Sequence, residues 1–211
     1  MVCVPIDVLD EERLREAVGV LVDRDPDLAA IVRRHGVPPM WARPPGFPTL
    51  IRIILEQQVS LSSAHAAYNR LEEAIGEITP ANFFELDDAE LKEVGFSRQK
   101  TRYGRLLAES IIDGSFDIDA LMDLSDDEAR TRLIERKGIG RWSADIYLLM
   151  ALQRPDVWPH GDLALIKAVT RIKGLDKTPT YDEWDEIGET WRPWRSVAAR
   201  LAWFEYLGGK P

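Results

Sequence analysis

The stretch Leu133–Val169, LIERKGIGRWSADIYLLMALQRPDVWPHGDLALIKAV, leaves this chain few folds to choose from. Ser125 and Glu128 set out the S-x-x-E pattern of a capping box, so a helix is expected to run from there toward the turn Gly138-Ile139-Gly140. A dinucleotide-binding glycine turn needs a strand before it, and a capped helix stands there instead. A second helix is expected from about Arg141 and a third from about Asp162, where Pro159 and Gly161 precede Leu163, Leu165, Ile166 and Val169 at helical spacing. Two helices joined by a sharp glycine turn put the free amides and positive dipole end of the second helix outward, which suits an anion. The same glycines are also what an ordinary helix–helix turn would use.

The rest of the chain reads the same way. Leu14, Val18, Leu21 and Val22, then Leu28, Ile31 and Val32, keep a helical period, and Phe47–Gln57 is a strongly apolar segment ending at EQQVS. Ser60 can cap a helix that Gly76 stops, Thr79-Pro80 starts a short one, Ser97–Ile111 is a longer one, and Tyr181–Trp191 and Trp194–Leu207 follow. Between them, VPPMWARPPGFP is too rich in proline for a helix and carries Trp41 in a loop. With no alternating pattern or hairpin dipeptide, the expected class is all-α, about ten helices in two groups.

Composition removes several functions. Apolar runs stay short of the ~20 residues that span a bilayer, and the opening MVCVPIDVLDEERL lacks a basic start with a long apolar run, so no membrane partner and a cytosolic location are expected. The single Cys3 permits neither an internal disulfide nor a thiolate cluster, and His35, His65 and His160 are scattered, so no side-chain metal site is expected. The net charge of −9 speaks against a nucleic-acid partner taken as a whole, but it is unevenly spread. Residues 1–30 carry −5 and residues 130–173 carry +5, an acidic body with one basic region.

Candidate chemistry concentrates in the same stretch. Asp162 at a helix start is a natural N-cap, and the dipole there also favours a negative charge able to stabilise a developing cation. Seven tryptophans are generous for 211 residues; most should be core, and one or two could stack on a flat, electron-poor ligand.

Taken together these segments resemble the helix–hairpin–helix DNA glycosylase superfamily and, within it, the 3-methyladenine DNA glycosylase II branch. LIERKGIGRWSADIYLL is similar to the family hairpin, HGDLALIKAV to the segment bearing its aspartate, WRPWRSVAARLAWFEYL to the closing helix, and GFPTLIRIILEQQVS to the segment that probes the minor groove. The likeness spans about Pro44 to Leu207 and does not extend to the N-terminal β domain of larger relatives. It implies two helical subdomains, residues 1–45 with 174–211 and residues 46–173, the latter containing the hairpin motif at about 126–153, with the active-site cleft between them.

By position, the resemblance makes Asp162 the catalytic carboxylate, with Trp203, Trp142 and Trp41 around the extruded base and Gln58 as the wedge. Gly138, Ile139, Gly140 and Arg141, with Lys137 beside them, are placed at the DNA backbone. Trp142 stands where bifunctional members carry a lysine, which implies a monofunctional enzyme. Lys137 replaces the usual proline of the turn, and Ile146 and Leu163 stand where a relative has aromatics. No cofactor is implied beyond a monovalent cation on hairpin carbonyls, and the partner is double-stranded DNA with damaged bases, bound by a monomer. Hydrolysis of the N-glycosidic bond of alkylated bases in base excision repair is thus expected. The alternatives are a non-catalytic DNA-binding hairpin module, an all-α protein-interaction domain, and a glycosylase for oxidised or mismatched bases.

Overall fold

In the computed structural model, which describes residues 7–210, the described chain is all-helical. In order run α1 (Glu11–Arg24), α2 (Pro26–His35), α3 (Phe47–Glu56), α4 (Leu61–Ile75), α5 (Pro80–Glu85), α6 (Asp88–Glu93) and α7 (Arg98–Ile112). After a short 3-10 turn at Asp119–Asp123 come α8 (Asp126–Ile134), α9 (Arg141–Met150), α10 (Leu163–Ile172), α11 (Tyr181–Glu189) and α12 (Arg195–Tyr206). Cys3 lies outside the described residues.

The helix starts follow the polar residues that precede them. Ser60, Thr79 and Ser97 each accept an amide of the first turn, and Ser125 with Glu128 forms the full reciprocal box. Asp87 with Glu90 and Thr180 with Glu183 form two more such boxes. Among the described residues the helices number twelve against the expected ten or so; α6, six residues long, is too short to display a period and has no counterpart among those expected.

The chain divides into two compact units, residues 1–42 with 148–211 and residues 43–147. In the second unit α3 is the central helix, buried over Phe47, Leu50, Ile51, Ile53, Ile54 and Leu55. Phe47, Phe83 and Phe96 meet edge to face at 5.7 and 5.5 Å, and Gly104 of α7 lets Phe83 come so close that a Cβ would stand 2.6 Å from its ring. Tyr147 of α9 accepts the Gly46 amide at 2.8 Å, fixing the start of α3; burial pushes its phenol up to about 12.

In the first unit α12 is the hub, packed by α1, α2 and α10, and every residue from Ser196 to Phe204 is buried. Arg200, fully buried on it, donates to Met40 O (2.9 Å), Ser196 O (3.1 Å), Leu149 O (2.9 Å) and Gln153 Oε1 (3.1 Å). Desolvation pulls this guanidinium down to about 9, and neutral oxygens supply its hydrogen bonds.

The observed division departs from the expected one at residues 148–173, which belong with the terminal helices. Packing around the segment before α10 accounts for it. Ser196 donates its amide to Pro155 O (3.0 Å) and accepts from Val157 N on its hydroxyl (2.9 Å), while Arg195 grips Asp156 at 2.8 and 3.1 Å. Trp158 stacks on Trp184 at 4.4 Å and meets Trp191 edge-on at 5.2 Å.

Candidate active site

The first unit brings Asp162 and Trp203 into contact. Asp162, 9 % exposed, caps α10, its Oδ1 accepting the Leu165 amide at 2.7 Å and the Trp203 indole N–H at 3.2 Å. The capping reading of this aspartate holds: the cap fixes the carboxylate at the helix N-terminus, and the indole orients it. Behind it the loop is buttressed by the tryptophan cluster. Trp158 donates to Trp184 O at 3.1 Å, and Gly188 makes room for its ring, since a Cβ there would come within 2.6 Å. Four of the seven tryptophans, Trp158, Trp184, Trp191 and Trp203, are buried.

Trp41 is half-buried with φ +48°, in the left-handed region, and leans edge-on against Phe204 at 6.2 Å. The Arg200 bond to Met40 O holds the backbone immediately before it. Leu163, next to Asp162, is 72 % exposed, whereas Ile146 in the other unit is buried.

The second unit brings the glycine turn and the EQQVS segment together. Gly138 has φ +96°, and a Cβ on it would lie 2.2 Å from Cγ of Tyr103, so only glycine fits against that ring. Ile139 is buried, and its amide donates to Arg136 O at 3.0 Å. The Ile139 amide is thus spent inside the turn, and the amides of Gly140 and Arg141 at the start of α9 are the ones a helix N-terminus offers. Lys137 and Gly140 are exposed, Arg141 has 59 % of its side chain exposed, and Trp142 is half-buried in the first turn of α9.

Gln58 is exposed at φ +57° between α3 and α4. Gln57, one residue earlier, was not singled out by sequence, yet its side-chain amide donates to Gly138 O at 2.8 Å and to Ser143 Oγ at 3.0 Å. A monovalent cation on the turn would draw on backbone oxygens such as Gly138 O and Arg136 O, each already accepting one hydrogen bond and each with a second lone pair, so the donor chemistry fits. Among the described residues no three His, Cys, Asp or Glu side chains gather as a metal site. His35 pairs with Glu205 at 2.9 Å and His160 with Asp185 at 2.7 Å, and His65 is exposed.

The basic region is smaller than its count. Arg130 is tied to the buried Asp145 at 2.7 Å, Arg154 is 2 % exposed, and Lys173 is held by Asp25 and Asp27 at 2.7 and 3.0 Å. Arg132, Lys137, Arg141, Lys167 and Arg171 remain exposed. No helix among the described residues is long and apolar enough to cross a membrane.

A glycine hairpin opening a helix, with a capping aspartate beyond it in an all-helical chain, defines a class. Residues 51–193 match the model of the HhH-GPD superfamily of base excision DNA repair proteins, and the chain belongs to that family. Within it, the chain is 32 % identical over 158 residues to DNA-3-methyladenine glycosylase 1 of Schizosaccharomyces pombe, covering 73 % of this chain and 69 % of that protein. It is 28 % identical over 184 residues to the Bacillus subtilis protein YfjP, whose name assigns it to the DNA-3-methyladenine glycosylases; 83 % of this chain is covered, and the chain spans 64 % of that relative's length. The solved structure of the Schizosaccharomyces pombe 3-methyladenine DNA glycosylase Mag1 in complex with abasic DNA superposes with a TM-score of 0.83 at 28 % identity, covering 90 % of this chain and 95 % of that one.

Proposed function

We propose that this chain is a monofunctional glycosylase that hydrolyses the N-glycosidic bond of alkylated bases of the 3-methyladenine type in double-stranded DNA. The observation that carries the reading is the Asp162 carboxylate fixed by the Leu165 amide and the Trp203 indole at the head of α10. Relatives named as 3-methyladenine glycosylases support the substrate class.

The target nucleotide leaves the stack at a cost of a few kcal/mol, least for a damaged or weakly paired base. Gln58 fills the gap, and the Gly140 and Arg141 amides seat a backbone phosphate, with Lys137 adding charge. A purine nucleotide alkylated at N3, as in the 3-methyladenine lesion, is already cationic. As its C1′–N bond breaks, the bonding pair neutralises the ring and the sugar becomes oxocarbenium-like. Asp162 stabilises that cation electrostatically, water adds to C1′, and its surplus proton passes to solvent. Trp203, Trp142 and Trp41 supply aromatic surface for a cationic base.

The test is base release from duplexes carrying single lesions. The parent should release 3-methyladenine, and Asp162→Asn should release it about 1,000-fold more slowly, as the loss of a preorganised transition-state charge requires. An Asp162→Asn protein working at the parental rate would sink the reading.

A further inference from the structure

The three residues before Gln58 are tethered in turn. Lys100 Nζ donates to Leu55 O at 2.7 Å. Glu56 receives Arg43 through two bonds, at 2.9 and 2.8 Å, and Arg52 at 3.4 Å. Gln57 donates to Gly138 O and Ser143 Oγ. Gln58 then turns into the left-handed region and is exposed. A non-glycine residue stays at such a φ only when its surroundings over-determine it.

The Gln57 tether differs from the other two in where it leads. It crosses 81 positions of sequence to the carbonyl of the turn glycine and 86 to the first turn of α9. The orientation of its amide is set, because Gly138 O can only accept. On its other side the turn is held by the Tyr103 ring, which fills the place of a Gly138 Cβ, and Gln99 in turn donates to Tyr103 Oη at 2.6 Å. The segment that ends in Gln58 and the turn that ends in Gly140 and Arg141 are therefore joined through one side chain.

We propose that Gln57 is a positioning residue that locks the wedge turn to the hairpin turn, so that Gln58 entering the stack and a phosphate seating on the hairpin amides are one event. The proposal rests on the reading of Gln58 as wedge and of the hairpin as phosphate anchor. Physically, two loops ordered together on folding have no separate ordering cost to meet on binding, whereas two independent loops each lose freedom when DNA arrives.

A double-mutant cycle tests this. The parent, Gln57→Met, Gln58→Ala and the double variant are titrated with a duplex carrying a tetrahydrofuran abasic analogue opposite 2-aminopurine, whose fluorescence reports unstacking. Each single change should weaken binding about 10-fold, and the double change also about 10-fold, because the second loss is already contained in the first. Gln57→Met should also remove most of the unstacking signal although Gln58 is intact, which a merely structural role would not do. Should Gln57→Met fold poorly, Ser143→Ala removes only one of the two bonds and should give a loss of about 3-fold that likewise does not multiply with Gln58→Ala. Losses that multiply to about 100-fold, a Gln57→Met protein with parental affinity and signal, or a parent with no unstacking signal would each overturn the coupling. A parent that binds and unstacks this duplex yet releases no alkylated base would overturn the proposed reaction and leave the coupling standing.

Discussion

Trp203 of α12 donates its indole N–H to Asp162 Oδ1 at 3.2 Å, so the residue expected to stack on a base also orients the carboxylate. Trp203→Phe separates the two roles, keeping an aromatic face while deleting the donor. A hydrogen bond to a charged group is worth about 1.5–3 kcal/mol, so single-turnover base release should fall roughly 10- to 100-fold. Affinity for the abasic duplex should change little. A variant that loses affinity and keeps its single-turnover rate would assign Trp203 to stacking alone.

The two hairpin glycines predict opposite outcomes. At Gly138 the positive φ and the Tyr103 ring both reject a Cβ, so Gly138→Ala should cost about 3 kcal/mol of stability, from left-handed strain plus overpacking. At Gly140 a Cβ meets nothing within 4 Å, and the backbone is not in the left-handed region. Gly140→Ala should therefore melt within about a degree of the parent, as innocuous surface changes do, and, on the proposed seating of a phosphate at this amide, bind duplex DNA at least about 10-fold more weakly because the methyl crowds that phosphate. Thermal melts and a salt-titrated binding assay check both.

How much of this was legible in the sequence depends on how local the cause is. Ser60, Thr79, Ser97 and Ser125 announce their helices because a cap acts within four residues. Asp87 and Glu90 carry the same signal for α6, but a six-residue helix offers no period to confirm it. Asp162 was legible as a cap and, through the joint spacing of four segments, as a candidate carboxylate; its bond to Trp203 was not, since it joins positions 41 apart. Gln57 was invisible for the same reason: a half-buried glutamine at a helix end has no pattern, and its partners are 81 and 86 residues away. Nothing local to Arg200 announces its burial, and only the packing of α12 shows it fully buried. The basic balance of residues 130–173 overstated the free charge because acids outside that stretch, Asp25 and Asp27 on Lys173 and Glu205 on Arg171, pair with members of the count.

The proposed monofunctional chemistry predicts no covalent capture. With Trp142 rather than a lysine at the first turn of α9, borohydride added during turnover should trap no protein–DNA adduct, because reduction needs a Schiff base between an amine and the opened sugar. Denaturing gel shifts with a lesion-bearing duplex check this. A trapped band that disappears in Lys137→Gln or Lys167→Gln would identify the amine responsible and overturn the assignment.

The last prediction concerns pH and the brace between α2 and α10. Asp25 Oδ2 receives Lys173 Nζ and Trp191 Nε1, both at 2.7 Å. Burial alone would raise the Asp25 carboxyl, but the bonds from Lys173 and Trp191 outweigh it and hold the group below its ordinary value. For Lys173, burial works to lower the ammonium and its two aspartates prevail, holding it above its ordinary value. A carboxyl lowered in the folded state adds stability above its unfolded pKa, lost as pH falls through the folded one. A raised ammonium adds stability below its unfolded pKa, lost as pH rises through the folded one. Their joint contribution is therefore a plateau between the ordinary aspartate value of 3.8 and the ordinary lysine value of 10.5. Lys173→Met strands the buried Asp25 carboxylate and should cost about 3 kcal/mol on that plateau. The gap to the parent should narrow at the acid end as Asp25 takes up a proton, and again above the lysine value as the parent loses its ammonium. Melting temperatures of parent and Lys173→Met across this range provide the check, and a gap that stays constant from end to end would remove the brace from the account of stability.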